Sequence, residues 1–567
     1  LLLLLAAADG CGPSATPTST PEPALRETPG IPWFTDATAS ARIDFQHFDS
    51  ATPLHTMPEV MGSGIGWIDY DADGWPDLLC IQVCPVFPKD RKAPLPTHKL
   101  YRNNRDGTFT DVTVSVGLNQ SGYGMGCAIG DYNNDGFDDI LITYLDGLAL
   151  FENRAAPGGG RTFVDVTAAA KLKNPHWGTS CAWGDLDGDG YLDLYVCNYV
   201  EIDLANYKTC ENSDIHELYV CPPTVFPVVE HALFHNNRDG TFTNITAQQG
   251  LDKYKGGGLG VIVQDLDGDG KPDLYVANDM KPAFLLHNRG GKFDEVGLLS
   301  GAALTTDGRF MAGMGVATGD IDGSRRPAIL VANYQNEPTM VFRNSGKLSF
   351  QDINRSSGLG PATQKTLGFG IELFDADLDG NLDVAQVNGH VVRNSAAIFK
   401  APYEQPAQMF TGDGQAHFRE VSEQAGAYFR EKHVGRGLAV ADYDNDGKPD
   451  LAILNNGGKA RLLRNSTTTS NHWIRFDLEG DGVKSNRSAI GARVEIDAGG
   501  RKLTRWIHGG GSYLSASDRR VLVGLGNAAR VDRATITWPS GRREEFSNLA
   551  ADRAWLIREG KPATERK

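Results

Sequence analysis

Seven times the chain places Asp or Asn side chains at alternating positions around a Gly turn. The pattern is Asp-x-Asp/Asn-x-Asp-Gly-x-x-Asp or a worn form of it, beginning at Asp69, Asp131, Asp185, Asp265, Asp320, Asp375 and Asp442. Oxygen donors crowded on a tightly curved backbone are the chemistry of a hard divalent cation, calcium above all. Side chains at positions one, three, five and nine would bind, with a backbone carbonyl at seven. The first copy offers Asp69, Asp71, Asp73 and Asp77; the second offers Asp131, Asn133, Asp135 and Asp139. The third and fourth offer Asp185, Asp187, Asp189, Asp193 and Asp265, Asp267, Asp269, Asp273. The sixth and seventh offer Asp375, Asp377, Asp379, Asp383 and Asp442, Asp444, Asp446, Asp450. The fifth keeps Asp320 and Asp322, but Ser324 and Ala328 replace acids and Arg325 replaces the turn Gly. Up to six well-formed calcium sites are therefore expected, as structural clips rather than sensors. Four carboxylates without a cation would repel one another.

The elements that must carry these loops are legible when the copies are aligned on their first Asp. Seven residues earlier stands Gly in every copy (Gly62, Gly124, Gly178, Gly258, Gly313, Gly368, Gly435). Five residues earlier stand Gly64, Gly126, Ser180, Gly260, Gly315, Gly370 and Gly437. Small residues recurring on one face suit strands that crowd around a common axis. After each loop comes a short apolar strand, such as Asp450-Leu-Ala-Ile-Leu. A third strand carries Leu-aromatic-x-Asn, as in Leu100-Tyr101-Arg102-Asn103, and a fourth begins at Phe109, Phe163, Phe242, Phe293, Phe350 or Phe418. Four strands per unit and seven units predict an all-β fold, a seven-bladed β-propeller of four-stranded blades. The seventh copy lacks its fourth strand, and Phe34-Thr35-Asp36-Ala37-Thr38 supplies one before the first copy. The amino-terminal strand is thus expected to close the ring and remove an exposed sheet edge.

With 567 residues, 66 Gly and a formal charge of -16, the chain suits an array of short strands, its acidity concentrated in loops that a cation would neutralise. An acidic chain without a basic stripe excludes nucleic acid as a partner. Residues 1–10 read as the remnant of a secretory signal. Ala-Asp-Gly-Cys11 resembles a lipoprotein cleavage box, with Cys11 the candidate for lipidation; a plain signal peptide cut after Ala8 is the alternative. Residues 11–30, rich in Pro, Ser and Thr, read as a tether. Both readings place the protein outside the cytoplasm, lipid-anchored to the cell envelope or secreted. Cys210 and Cys221 flank an insertion in the third repeat and are the best disulfide candidates.

The Asp loops, the Leu-Tyr-Arg-Asn and Phe-Thr-Asp-Val-Thr strands, and a tail reading Ser485-Asn-Arg-Ser-Ala-Ile-Gly-Ala-Arg-Val494, Gly524-Leu-Gly526 and Trp538-Pro-Ser-Gly541 together resemble the FG-GAP/VCBS propellers. The branch resembled is the cartilage-acidic-protein-like one with a carboxy-terminal ASPIC/UnbV domain. The resemblance implies an extracellular, calcium-binding protein of adhesion or interaction. Its implied partner is an extracellular protein or glycan. On this reading residues 31–470 form the propeller and 471–562 the ASPIC/UnbV-like domain. Read on its own, the second region alternates apolar and polar residues in short segments, the pattern of a small β-sandwich. Gly509-Gly510-Gly511 within it reads as a structural turn.

An active site has weaker signals. Gln82, Tyr144, Asn198, Asn278, Asn333, Asn388 and Asn455 recur five residues past the last loop position. They either line a polar propeller mouth or satisfy turn backbone, the commoner use of Asn. Asp279, Glu337 and His390 lie near them and are not required by the repeat. They are the candidate catalytic groups of an alternative reading, an enzyme acting on a carbohydrate or other small molecule. No Gly-x-Ser-x-Gly elbow, His-Glu-x-x-His pair, dinucleotide fingerprint or P-loop is present.

Overall fold

A computed structural model describes residues 33–566; Cys11, the signal remnant and the tether fall outside the described residues. Seven antiparallel four-stranded meanders follow one another, each with a first strand that ends at an Asp loop; the fourth and fifth are joined into one nine-stranded sheet where Asp279 pairs with Ala312. In the third of these blades the strands are Gly178–Gly184, Asp193–Asn198, Ala232–Asn236 and Phe242–Asn244. The inner strands touch in chain order, and the last, Gly435–Ala441, returns to the first, Ile65–Ile68. The seventh blade is completed from the amino terminus. Phe34 pairs with Asn465 and Asp36 with Leu463, so a propeller-like ring is closed by its amino-terminal strand.

The Asn of the third-strand signature staples each blade to the one before it. Asn103 donates to the Tyr443 carbonyl, Asn153 to Tyr70, Asn236 to Tyr132, Asn288 to Leu186, Asn344 to Leu266 and Asn465 to Ala376, all at 2.7–2.8 Å. Each accepting carbonyl is the second residue of the preceding blade's Asp loop. The sixth blade has Gly412 at this position and lacks the staple. These amides are buried, so their partners are obligatory.

The carboxy-terminal region forms two four-stranded sheets. His472–Glu479 lies between Val521–Gly526 and Arg553–Arg558, the latter parallel to it, with Thr564–Arg566 at the edge. Arg493–Ala498 lies between Arg501–Trp506 and Arg530–Thr537, and Arg543–Ala550 forms the second edge. Ile474, Phe476 and Val523 of the first sheet share one core with Val494, Ile496 and Ile536 of the second, which makes the region a sandwich.

One excursion of this sandwich enters the ring. Gly509–Gly510 pairs with Val263 and Ile262 of the fourth inner strand. Ser512 exchanges two backbone bonds with Val316, Leu514 accepts from Cys127 N–H and Ala516 bonds to Ile65 and Trp67. Ser180 Oγ accepts from Leu514 N–H, Ser517 Oγ donates to Glu372 and Asp518 N–H donates to the Val440 carbonyl. Residues 509–518 thus bond to an inner strand of every blade and fill the channel. The small residues five before each loop make the room. A Cβ at Gly64 would lie 1.7 Å from the Leu514 carbonyl oxygen. Gly509-Gly510-Gly511, expected as a turn, is part of a channel plug. At Gly509 a Cβ would stand 1.8 Å from the Trp183 carbonyl oxygen.

Candidate metal centres and the two ends of the ring

In each loop the first Asp turns back on its own backbone. Asp185 accepts from Asp189 N–H and Gly190 N–H at 2.9 Å, and Asp69 and Asp131 repeat the arrangement. The turn Gly has positive φ, 91° at Gly74 and 89° at Gly190, a region that excludes most side chains. The ninth-position Asp opens the next strand and is pinned from both sides. Asp77 accepts from Tyr70 and Asn103 N–H groups, and Asp450 from Tyr443 and Asn465. One backbone geometry therefore brings positions one, three and nine together in loop one, and positions one, three and five together in loops three, four and six.

Burial, reinforced by neighbouring carboxylates, pushes Asp69 up to about 6 and Asp131, Asp185, Asp375 and Asp442 to about 7. The same causes drive Asp77, Asp139, Asp383 and Asp450 well above the usual range. Asp71, Asp375 and Asp442 each keep a buried oxygen without any hydrogen-bond donor. Orphaned buried oxygens in an all-oxygen donor set are the environment of a hard cation, and these residues fit one. Three-residue clusters able to hold a metal form at Asp69, Asp71, Asp77; at Asp185, Asp187, Asp189; at Asp265, Asp267, Asp269; and at Asp375, Asp377, Asp379.

The fifth loop differs as its sequence implies. Arg325 takes the turn position at a φ of 61°, and Arg343 binds Asp322 at 2.6 Å. Burial acts to raise Asp322, but bonds from Ser324 and Arg343 outweigh it and hold the carboxyl low. With two acids instead of four, this loop has one guanidinium bound to its third-position carboxylate and no acid at positions five and nine.

The sandwich sits on the loop end of the ring. Arg475 reaches Asp442 at 3.3 Å, Gly524 N–H donates to Asp375 at 3.1 Å and Ser488 accepts from Asp131 N–H at 2.9 Å. Arg519 binds Asp138 at 2.6 Å, and Arg520 donates to the Asp442 carbonyl and to Asn445. A cavity of about 410 Å³ remains between loops one and two and the sandwich, lined by Asp69, Asp131, Arg519, Arg520 and Arg558 among others.

The opposite end is closed by apolar side chains. Tyr513 and Leu514 of the plug meet Met125, Leu259, Met314 and Phe369 of the inner strands. The third-blade insertion adds Tyr199, Phe226 and Cys221; Cys221 is bonded to Cys210 with Cα atoms 5.2 Å apart. Arg436 lies among them, fully buried. It donates to the carbonyls of Val60, Gly389, Gly435 and His390, and its guanidinium stands 3.8 Å from the Phe369 ring. Burial lowers its pKa to about 10.

The recurring amides satisfy backbone carbonyls. Asn198, Asn278, Asn333, Asn388 and Asn455 each donate to a backbone carbonyl at 2.7–3.0 Å, and Gln82 donates to Gln46. Asp279 accepts from Tyr199 OH at 2.6 Å, and burial raises it to about 7. Glu337 accepts from Ala312 N–H at 2.8 Å, and His390 accepts from Val392 N–H at 2.9 Å. Burial and the nearby Arg436 lower His390 to about 4. Asp279 and Glu337 meet at Ala312, while His390 reaches only Tyr334 OH, at 3.4 Å. Sequence reasoning missed Arg436. Its signal was an Arg between the paired small residues Gly435 and Gly437, where other blades carry Met125, Leu259, Met314 or Phe369.

An FG-GAP-like repeat model matches residues 69–142, 131–196, 230–276 and 265–331, an FG-GAP repeat model 434–465, and an ASPIC and UnbV model 482–564. The chain belongs to the FG-GAP-repeat proteins that carry a carboxy-terminal ASPIC/UnbV domain. Within that class it is similar to cartilage acidic protein 1 of Xenopus tropicalis, 26% identical over 449 residues, and of Mus musculus, 25% identical over 444. Each match covers 75% of this chain and 62% of the relative. A lectin of Agrocybe aegerita that recognises non-reducing terminal N-acetylglucosamine aligns with a TM-score of 0.36 and 16% identity, over 64% of this chain and 82% of that one.

Proposed function

We propose that the protein is an extracytoplasmic calcium-binding scaffold whose ring and sandwich present surfaces to an extracellular protein or glycan. The observation that carries this reading is that buried, mutually repelling carboxylates converge in loops one, three, four and six, with orphaned buried oxygens at Asp71, Asp375 and Asp442. The likeness to cartilage acidic proteins supports an extracellular setting. Among the described residues no helix is long and apolar enough to cross a membrane. The filled channel supports binding over catalysis, because the groups nearest the mouth, Asp279, Glu337 and His390, are already engaged by Tyr199, Ala312 and Val392. Two measurements test the reading. Equilibrium dialysis should find up to about six calcium ions per chain, lost loop by loop on Asp→Ala substitution at the first positions but not at Asp320. A screen of extracellular proteins, glycans and small-molecule substrates should give calcium-dependent binding without turnover. Turnover abolished by both Glu337→Gln and His390→Ala would establish the enzyme instead.

A further inference from the structure

Loops three and four differ from the others in one neighbour. The third-strand residue just before the stapling position is Arg102, Arg343 and Arg464 in blades one, five and seven. Each binds the third-position Asp of its own loop: Asp71 at 2.9 Å, Asp322 at 2.6 Å and Asp444 at 2.5 Å. Blades three and four have His235 and His287 instead. His235 Nδ1 stands 3.3 Å from Asp187 Oδ2 and 3.2 Å from Asp193 Oδ1. His287 Nδ1 stands 3.8 Å from Asp267 Oδ2 and 3.0 Å from Asp273 Oδ1. Positions three and nine of the loop thus converge on an imidazole nitrogen twice, independently. The donor atoms of Asp187, Asp193 and His235 all lie within 4.8 Å of one another.

A guanidinium has no lone pair and can only neutralise the carboxylates, whereas a neutral imidazole can ligate. Nitrogen and oxygen donors on one zinc ion, about 2.0–2.2 Å from it, stand roughly 3.3–3.6 Å apart at tetrahedral angles. The His235 spacings, 3.2 and 3.3 Å, are close to that, those of His287 bracket it at 3.0 and 3.8 Å, and each imidazole hydrogen-bonds the ninth-position Asp of its loop. Calcium takes oxygen almost exclusively, while imidazole suits zinc, and a mixed site binds zinc far more tightly by the ordinary order of divalent affinities. Both imidazoles are partly exposed, so an ion has a path in from solvent.

We propose that loops three and four are mixed nitrogen–oxygen sites that hold zinc in preference to calcium, with His235 and His287 as the selecting ligands. The proposal rests on the reading that these loops bind a divalent ion at all. It is tested on the full chain, stripped with chelator and dialysed against micromolar zinc chloride in millimolar calcium. Bound metals are counted by elemental analysis. The wild type should retain about two zinc ions per chain. His235→Arg and His287→Arg should each remove one, and the double variant both, with calcium at the remaining loops unchanged. Arg is the residue that three other blades carry there, so the variants should fold, and an unchanged far-ultraviolet spectrum and melt would show it. Wild type that binds calcium but retains no zinc, or a double variant that retains as much zinc as wild type, overturns the proposal and leaves the calcium reading standing. Zinc retention lost in the variants, with no calcium bound anywhere, would support the proposal and sink the calcium reading.

Discussion

At the loop end of the ring, carboxylates are gathered by backbone N–H groups and covered by arginines of the sandwich. At the opposite end, Tyr513, Leu514, Phe369 and the disulfide-bearing insertion close the channel by burial, with one arginine held by carbonyl oxygens. The two ends are joined by a single segment, residues 509–518, which touches every inner strand. One end gathers carboxylates that fit a cation; the other is closed by packing within the chain. The Asp loops and the carboxy-terminal sandwich therefore form one device. Arg475, Gly524 and Ser488 dock directly on Asp442, Asp375 and Asp131, so ordering a loop also orders the plug's anchor.

The sharpest break between the ends should come from Arg436→Met. It strands four buried carbonyls and should lower stability by about 3–5 kcal/mol. Calcium stoichiometry should not change, because no loop is touched; urea melts and equilibrium dialysis check the two halves. Glu372→Gln should act through pH. Burial raises Glu372 to about 7 in the folded protein, beside Ser517 of the plug. A carboxyl raised on folding contributes stability that is full below its unfolded pKa and lost as pH rises through the folded one. The wild type should therefore lose about 2–3 kcal/mol between pH 5 and pH 8 that the Gln variant keeps. Gly509→Ala should be milder. Its Cβ meets the Trp183 backbone, and the overpacking should cost about 2 kcal/mol. Faster hydrogen exchange should appear in residues 509–518 and leave the insertion at Cys210–Cys221 unaffected.

The loops, the four-strand repeat and the closing strand Phe34–Asp36 could be read from sequence because each is periodic or the complement of something periodic. The worn fifth loop was visible for the same reason, since Arg325 and Ala328 break the donor pattern. The stapling Asn was seen as a signature, but its partner lies one blade away, beyond the reach of any single repeat. The plug was hidden more deeply. Gly509 and Gly510 are small for the same reason as Gly64 and Gly260, that backbones approach closely there, while Ser515 and Ser517 bond to inner strands through their hydroxyls. Yet they occur once, without a period to reveal them. Asn278, Asn333 and Asn455 satisfy carbonyls four or five residues on, the commoner of the two uses expected, while Asn198 reaches Glu230; the segment that fills the channel comes from more than 100 residues later in the chain than most of the strands it meets.

The most direct test is hydrogen exchange with parallel thermal melts, in calcium and after chelation with metal removal confirmed. The account predicts a fall in melting temperature of about 10 °C or more. Protection should drop at the six acidic loops and across residues 509–518, while the fifth loop and the insertion around Cys210 and Cys221 hold theirs. An unchanged melt with unchanged protection at the loops and the plug would contradict it.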